Sequence, residues 1–124
     1  MSLSNHQFEF LKDLSLLINY ISGVKKLKVT ATWLFRPQEV QEKLKNEGLS
    51  KTLESNHLYS CAIDLNIFNG NRILTNLKKQ DLTEPELRLM QEISVFWENL
   101  NAKNRAGFFF KSIYDPGHFE RNIK

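Results

Sequence analysis

Ser55-x-His57-x-x-x-x-Ala62-x-Asp64 and, further along, Asp115-Pro116-Gly117-His118 gather two histidines and two carboxylates into two short clusters of a 124-residue chain. Imidazole and carboxylate are donors that a hydrolytic zinc ion takes. Such an ion uses three protein ligands and keeps a fourth position for water, whose pKa falls to about 7. His57, Asp64 and His118 supply three such donors. Asp115, separated from His118 by Pro-Gly, then remains as the general base that takes a proton from the activated water.

Each cluster is weak alone. A His and an Asp seven residues apart arise readily by chance, and Asp-Pro-Gly is first of all a turn, since each of the three favours turns for its own reason. Ser55 reads equally well as a loop cap, Arg36 as a solvated cation at a strand end, and His6 as a surface or capping residue. What ties the clusters together is the set of elements that must position them.

Cys61, Ile63, Leu65 and Ile67 alternate with Ala62, Asp64 and Asn66, the pattern of a strand with one apolar face. Asp64 therefore points away from the core, where an unpaired carboxylate would be costly. Asn69-Gly70 predicts a hairpin with positive φ at both central positions, and Arg72 to Leu74 is expected to return antiparallel. His118-Phe119-Glu120 predicts a short strand with Phe119 toward the core and His118 and Glu120 on the opposite side. Phe108 to Lys111 predicts another strand. Three candidate ligands on separate local segments would be held together only by tertiary structure, which suits a rigid site with an open position.

Helices are expected around this sheet. Phe8, Leu11, Leu14, Leu17, Ile18 and Ile21 form a stripe at three- and four-residue spacing, predicting a helix from about Ser4-Asn5 to Gly23. Leu27 to Phe35 alternates as a half-buried strand, with Val29, Ala31, Trp33 and Phe35 on one side and Lys28, Thr30 and Thr32 on the other. Pro37 then suits the first turn of a helix with Val40 and Leu44 on its apolar side, ending at Asn46-Glu47-Gly48. Thr83-x-x-Glu86 is a capping box opening a helix with Leu87, Met90, Ile93, Trp97 and Leu100 on its buried face. The expected architecture is α+β: a small, mainly antiparallel sheet with flanking helices.

Length and composition agree with one domain spanning residues 1–124, at 41% hydrophobic and 25% charged residues. No low-complexity segment or repeat stands out. A single cysteine, Cys61, rules out an internal disulfide and a Cys-rich metal site. A net charge of +3 is mild, and Lys25, Lys26, Lys28 and the Lys78-Lys79 pair read as a solvated surface rather than a nucleic-acid site. No apolar run is long enough for a membrane span, and no export signal is expected at the N-terminus. The chain is accordingly expected to be made in the cytoplasm.

The order and spacing of the two clusters resemble the zinc peptidases of the D-alanyl-D-alanine carboxypeptidase and L-alanyl-D-glutamate peptidase superfamily, whose signature is Ser-x-His-x-x-Gly-x-Ala-x-Asp with a downstream acid and His. Phe35-Arg36-Pro37 looks like that family's aromatic-Arg segment, and Trp97-Glu98-Asn99-Leu100 resembles the helix before the last part of its site. The resemblance runs from about residue 27 to 120. An Asp three before the final His, followed by Phe119-Glu120, is more like the L-alanyl-D-glutamate endopeptidase branch found among phage lysins.

The resemblance implies zinc held by His57, Asp64 and His118, Asp115 as base, and Arg36 as stabiliser of the developing oxyanion. Ser55 and Glu120 become candidates for bonds that orient the ligands. The implied partner is the stem peptide of peptidoglycan, reached through a separate pore in a lysin, or met in the cytoplasm by a recycling enzyme. Alternatives within the same fold are a D-alanyl-D-alanine carboxypeptidase and a non-catalytic zinc-containing binding domain, as in hedgehog signalling domains. A plain α+β domain without metal is the remaining reading. Two departures stand out. Ser60 occupies the usual Gly position, where a positive φ would strain it, and Arg105-Ala106-Gly107 replaces a richer Gly run.

Overall fold

A computed structural model describes residues 1–33 and 56–123. Helix α1 (Leu3–Asn19) continues into a π-helical turn (Tyr20–Val24) and then strand β1 (Lys28–Trp33). After a short 3-10 turn (Asn56–Tyr59) come β2 (Ala62–Asn69), β3 (Arg72–Ile73), helix α2 (Glu84–Leu100), β4 (Asn104–Ala106) and β5 (His118–Arg121). The strands form one sheet in the order β1-β2-β5-β4, with β3 hairpinned onto β2, and every pairing is antiparallel. This is the α+β arrangement the periodicities predict. Phe35, Arg36, Ser55 and the predicted helix beginning at Pro37 lie outside the described residues. Among the described residues no helix is long and apolar enough to cross a membrane.

β2 is central, and its alternation is realised from Ile63 to Ile67, with Ala62 before it also buried. Cys61, Ile63, Leu65 and Ile67 are buried in one core with Phe10, Leu14, Leu17 and Ile21 of the N-terminal helix, Met90, Ile93 and Trp97 of α2, and Phe119 of β5. Trp97 is the hub: its ring meets Phe10 and Phe119 edge-on at 5.7 and 6.0 Å between centroids. Its Nε1–H points to the Arg105 and Glu120 carbonyls, 3.1 Å from each. The neighbouring Glu98 accepts the Ala106 N–H at 2.9 Å, so one turn of α2 clamps β4.

The capping box at the start of α2 is complete, with Thr83 accepting from Glu86 N–H and Glu86 accepting from Thr83 N–H. Glu86 also receives Asn69 Nδ2 and both Nε and Nη2 of Arg72, which ties the β2–β3 hairpin to the helix. Arg72 is the main cause, with the Thr83 N–H next, of a Glu86 pKa held down at about 2 against the cost of desolvation.

Five expectations need correction. The buried stripe of α1 is Phe10, Leu14 and Leu17, continued by Ile21, while Phe8 and Leu11 are 64% and 53% exposed and Ile18 is also exposed. Both stripes have helical spacing, and the buried one includes Asp13, whose charge disguised it; Asn104 Nδ2 donates to that carboxylate at 3.1 Å. The helical path does not stop at Gly23, since the first left-handed residue is Lys26 at φ 59°.

The hairpin turn is Gly70-Asn71, between the paired residues Asn69 and Arg72, and only Gly70 has positive φ (60°). This is the type II′ pattern, with glycine at the first central position. The strand expected at Phe108–Lys111 lies earlier, at Asn104–Ala106, because the chain turns into a 3-10 segment (Gly107–Phe109). In β1, Val29 packs on the core but Ala31 is exposed, and the register shifts between Ala31 and Trp33.

Candidate metal centre

Antiparallel register brings the two clusters together. Asp64 of β2 lies directly opposite His118 of β5, and both project from the sheet face away from the two described helices. His57 comes from the 3-10 turn just before β2. That turn closes with Cys61 N–H donating to Asn56 O (2.9 Å) and Ser60 N–H to His57 O (3.2 Å), the 6→1 and 5→2 pair of a Schellman motif. Ser60 is its left-handed residue at φ 54°, so positive φ falls at the position where the sequence signature has Gly. Gln7 of α1 braces the turn by donating Nε2 to Tyr59 O at 2.9 Å.

The Asp64 carboxylate sits between the two imidazoles, with Oδ2 3.2 Å from His57 Nε2 and Oδ1 3.1 Å from His118 Nδ1. One donor atom from each of His57, Asp64 and His118 falls within 4.8 Å of the others, a group that could hold a metal ion. On the far side of its ring, His118 Nε2 is 2.7 Å from Glu120 Oε1. Glu120 is fixed by Arg105 and by Asn56, the chain neighbour of His57.

Charge in the site is arranged for a cation. Burial opposes the carboxylate of Asp64, but both imidazoles outweigh it and hold Asp64 well below the usual range. Burial likewise opposes charge on His118, yet Asp64 and Glu120 lift it to about 9, and Glu120 is held down at about 2 by His118 and Arg105 against its own desolvation. Two carboxylates facing two imidazoles favour positive charge between them, and a proton or a divalent cation can satisfy that demand. With nitrogen and carboxylate oxygen donors from separate segments, and a carboxylate behind one ring, the residues fit a zinc ion of the kind held by histidine and carboxylate.

Asp115 belongs to the turn that delivers His118. Its carbonyl accepts the His118 N–H and its own N–H donates to Gly107 O, each at 3.1 Å, while the residue itself is exposed. Two glycines make this packing feasible: a Cβ on Gly107 would run into the Asp115 carbonyl, and one on Gly117 into the Leu65 carbonyl. Leu65 N–H in turn donates to Gly117 O at 2.8 Å, locking the turn to β2. Of the predicted site residues, His57, Asp64 and His118 converge, Asp115 stands in the adjoining turn, and Arg36 and Ser55 lie outside the described residues. Sequence reasoning missed Asn56 and Arg105. Adjacency to His57 was the only local signal for the first, and nothing local marks the second.

No family model matches the sequence, and no curated protein matches it. Among solved structures, the chain is similar to the L-Ala D-Glu endopeptidase ChiX of Serratia marcescens, with a TM-score of 0.65. The match covers 92% of this chain and 78% of that one, at 17% sequence identity, and it establishes a shared fold.

Proposed function

We propose that this protein is a zinc-dependent peptidase that hydrolyses a peptide bond in the peptidoglycan stem peptide, with the L-alanyl-D-glutamate bond as its target. The observation that carries the reading is the convergence of His57, Asp64 and His118 donor atoms within 4.8 Å, drawn from three separate segments. The fold shared with an L-Ala D-Glu endopeptidase supports the choice of bond.

His57, Asp64 and His118 would hold the ion. A bound zinc supplies Lewis acidity, making water a nucleophile near neutral pH and polarising the scissile carbonyl. Asp115 takes the proton from the attacking water and returns it to the leaving amine. Its place in an exposed turn, tied to Gly107 at one end and to β2 through Gly117 at the other, suits a carboxylate that meets substrate while His118 stays fixed. Glu120, bonded to His118 Nε2, keeps Nδ1 directed toward Asp64. Arg36, assigned by resemblance alone, stabilises the developing oxyanion, a contribution of about 3 kcal/mol for such a donor.

The test combines metal analysis with product analysis. Wild-type protein should bind one zinc and release new amino termini from peptidoglycan, with D-glutamate at the new terminus. Asp115→Asn should keep the zinc and lose turnover, whereas His118→Ala should lose both. Full activity in Asp115→Asn would end the base assignment. Free D-alanine as the product would turn the assignment to a carboxypeptidase, and zinc binding without any cleavage would favour a binding domain of the same fold.

A further inference from the structure

Glu120 does more than accept from one histidine. Its Oε1 faces His118 Nε2, while Oε2 takes three donors from two other segments. Arg105, directly opposite Glu120 in the β4–β5 register, donates Nε at 2.9 Å and Nη2 at 2.6 Å. Asn56 donates Nδ2 at 2.8 Å. The Arg105 guanidinium also lies 5.5 Å from the centroid of the Phe110 ring, which is itself 5.7 Å from the His118 ring. The carboxylate is thus held in rotation as well as in place, and the oxygen left over is the one that meets the imidazole.

We infer that Arg105 is a positioning residue for the cation site, acting through Glu120 to fix the ring of His118, with Asn56 supporting the same carboxylate from the His57 side. The inference rests on the proposed cation site and adds to it a residue that touches none of the three donors. Its chemistry is geometric. The planar guanidinium brings two N–H groups, Nε and Nη2, onto one carboxylate oxygen at a fixed angle, which an ammonium cannot do. Without that fork the 4%-exposed Glu120 keeps only Asn56 on Oε2, and its plane can rotate away from His118. Partners that orient a metal-binding histidine are typically worth about 10–100-fold in metal affinity.

The experiment measures zinc affinity of the full chain by competition with a chelating dye, for wild type, Arg105→Gln, Arg105→Lys and Arg72→Gln. The last loses a comparable forked Arg–Glu pair outside the site and controls for general loss of stability. Arg105→Gln should bind zinc at least about 10-fold more weakly and Arg105→Lys should recover only part of that loss. Arg72→Gln should match wild type. Wild-type affinity in Arg105→Gln overturns the inference, and if that variant does not fold, wild-type affinity in Arg105→Lys does so.

Should wild type itself take up no zinc, the proposed function fails, and Arg105 is then judged in the metal-free protein. There the His118 Nε2–H bonded to Glu120 should give a low-field proton resonance that is displaced in Arg105→Lys. An unmoved resonance counts against the positioning role.

Discussion

Ser60 is a side-chain-bearing residue at φ 54°, held there because the His57 turn closes through Ser60 and Cys61 N–H bonds to His57 and Asn56 carbonyls. For an L-residue the left-handed region costs about 1–2 kcal/mol. Glycine occupies it without that cost, but gives back about 0.4–1 kcal/mol by widening the unfolded ensemble. Ser60→Gly should therefore stabilise the protein by about 0.5–1 kcal/mol, raising the unfolding midpoint of a chain this size by about 2–4 °C. Ser60→Ala retains the backbone penalty and should show none of the gain. Thermal and urea unfolding of the three proteins side by side decides the matter, with the urea slope expected to stay constant. Because the same turn carries His57, zinc uptake by Ser60→Gly should equal or exceed wild type. A Ser60→Gly protein no more stable than wild type, or an alanine variant equally stabilised, refutes the strain assignment.

Three other outcomes follow from the packing and the charges. Gly107→Ala drives a Cβ into the Asp115 carbonyl, and because the obstacle is backbone the cost should be about 2–3 kcal/mol by chemical denaturation. Zinc at 100 times its dissociation constant should raise stability by about 2.7 kcal/mol in wild type and by nothing in His118→Ala, read as a thermal shift with and without chelator. The Glu86 carboxyl, lowered from 4.5 to about 2 chiefly by Arg72, contributes stability that is complete above about pH 4.5 and lost as pH falls toward 2. Wild type minus Glu86→Gln should isolate that acid-dependent part, and added salt should shrink it because Arg72 is 47% exposed. A difference that does not vary with pH over this window argues against the ion pair.

Local periodicity decides which face a residue takes, and where that was unambiguous the site was legible. Asp64 had to oppose Ile63 and Leu65, and His118 had to oppose Phe119, so both fell on one side of the sheet before any pairing was known. The buried face of α1 is ambiguous in sequence because Phe8-Leu11-Ile18 and Phe10-Leu14-Leu17 have equally helical spacing. Asn104, 91 residues away, supplies a hydrogen bond that makes a buried Asp13 acceptable. The same limit hid the support of the site. β4 is short and polar, so Arg105 carries no strand signal, and its role appears only once the fold sets it opposite Glu120. Asn56 reaches that same carboxylate across 64 residues. Candidate ligands can be read from residue type and spacing because their chemistry narrows the choice, whereas the residues bonded to them are ordinary polar side chains selected by pairing. A search for function from sequence will therefore find candidate donors before it finds their support, because a contact such as Arg105–Glu120 becomes legible only once β4 is paired with β5.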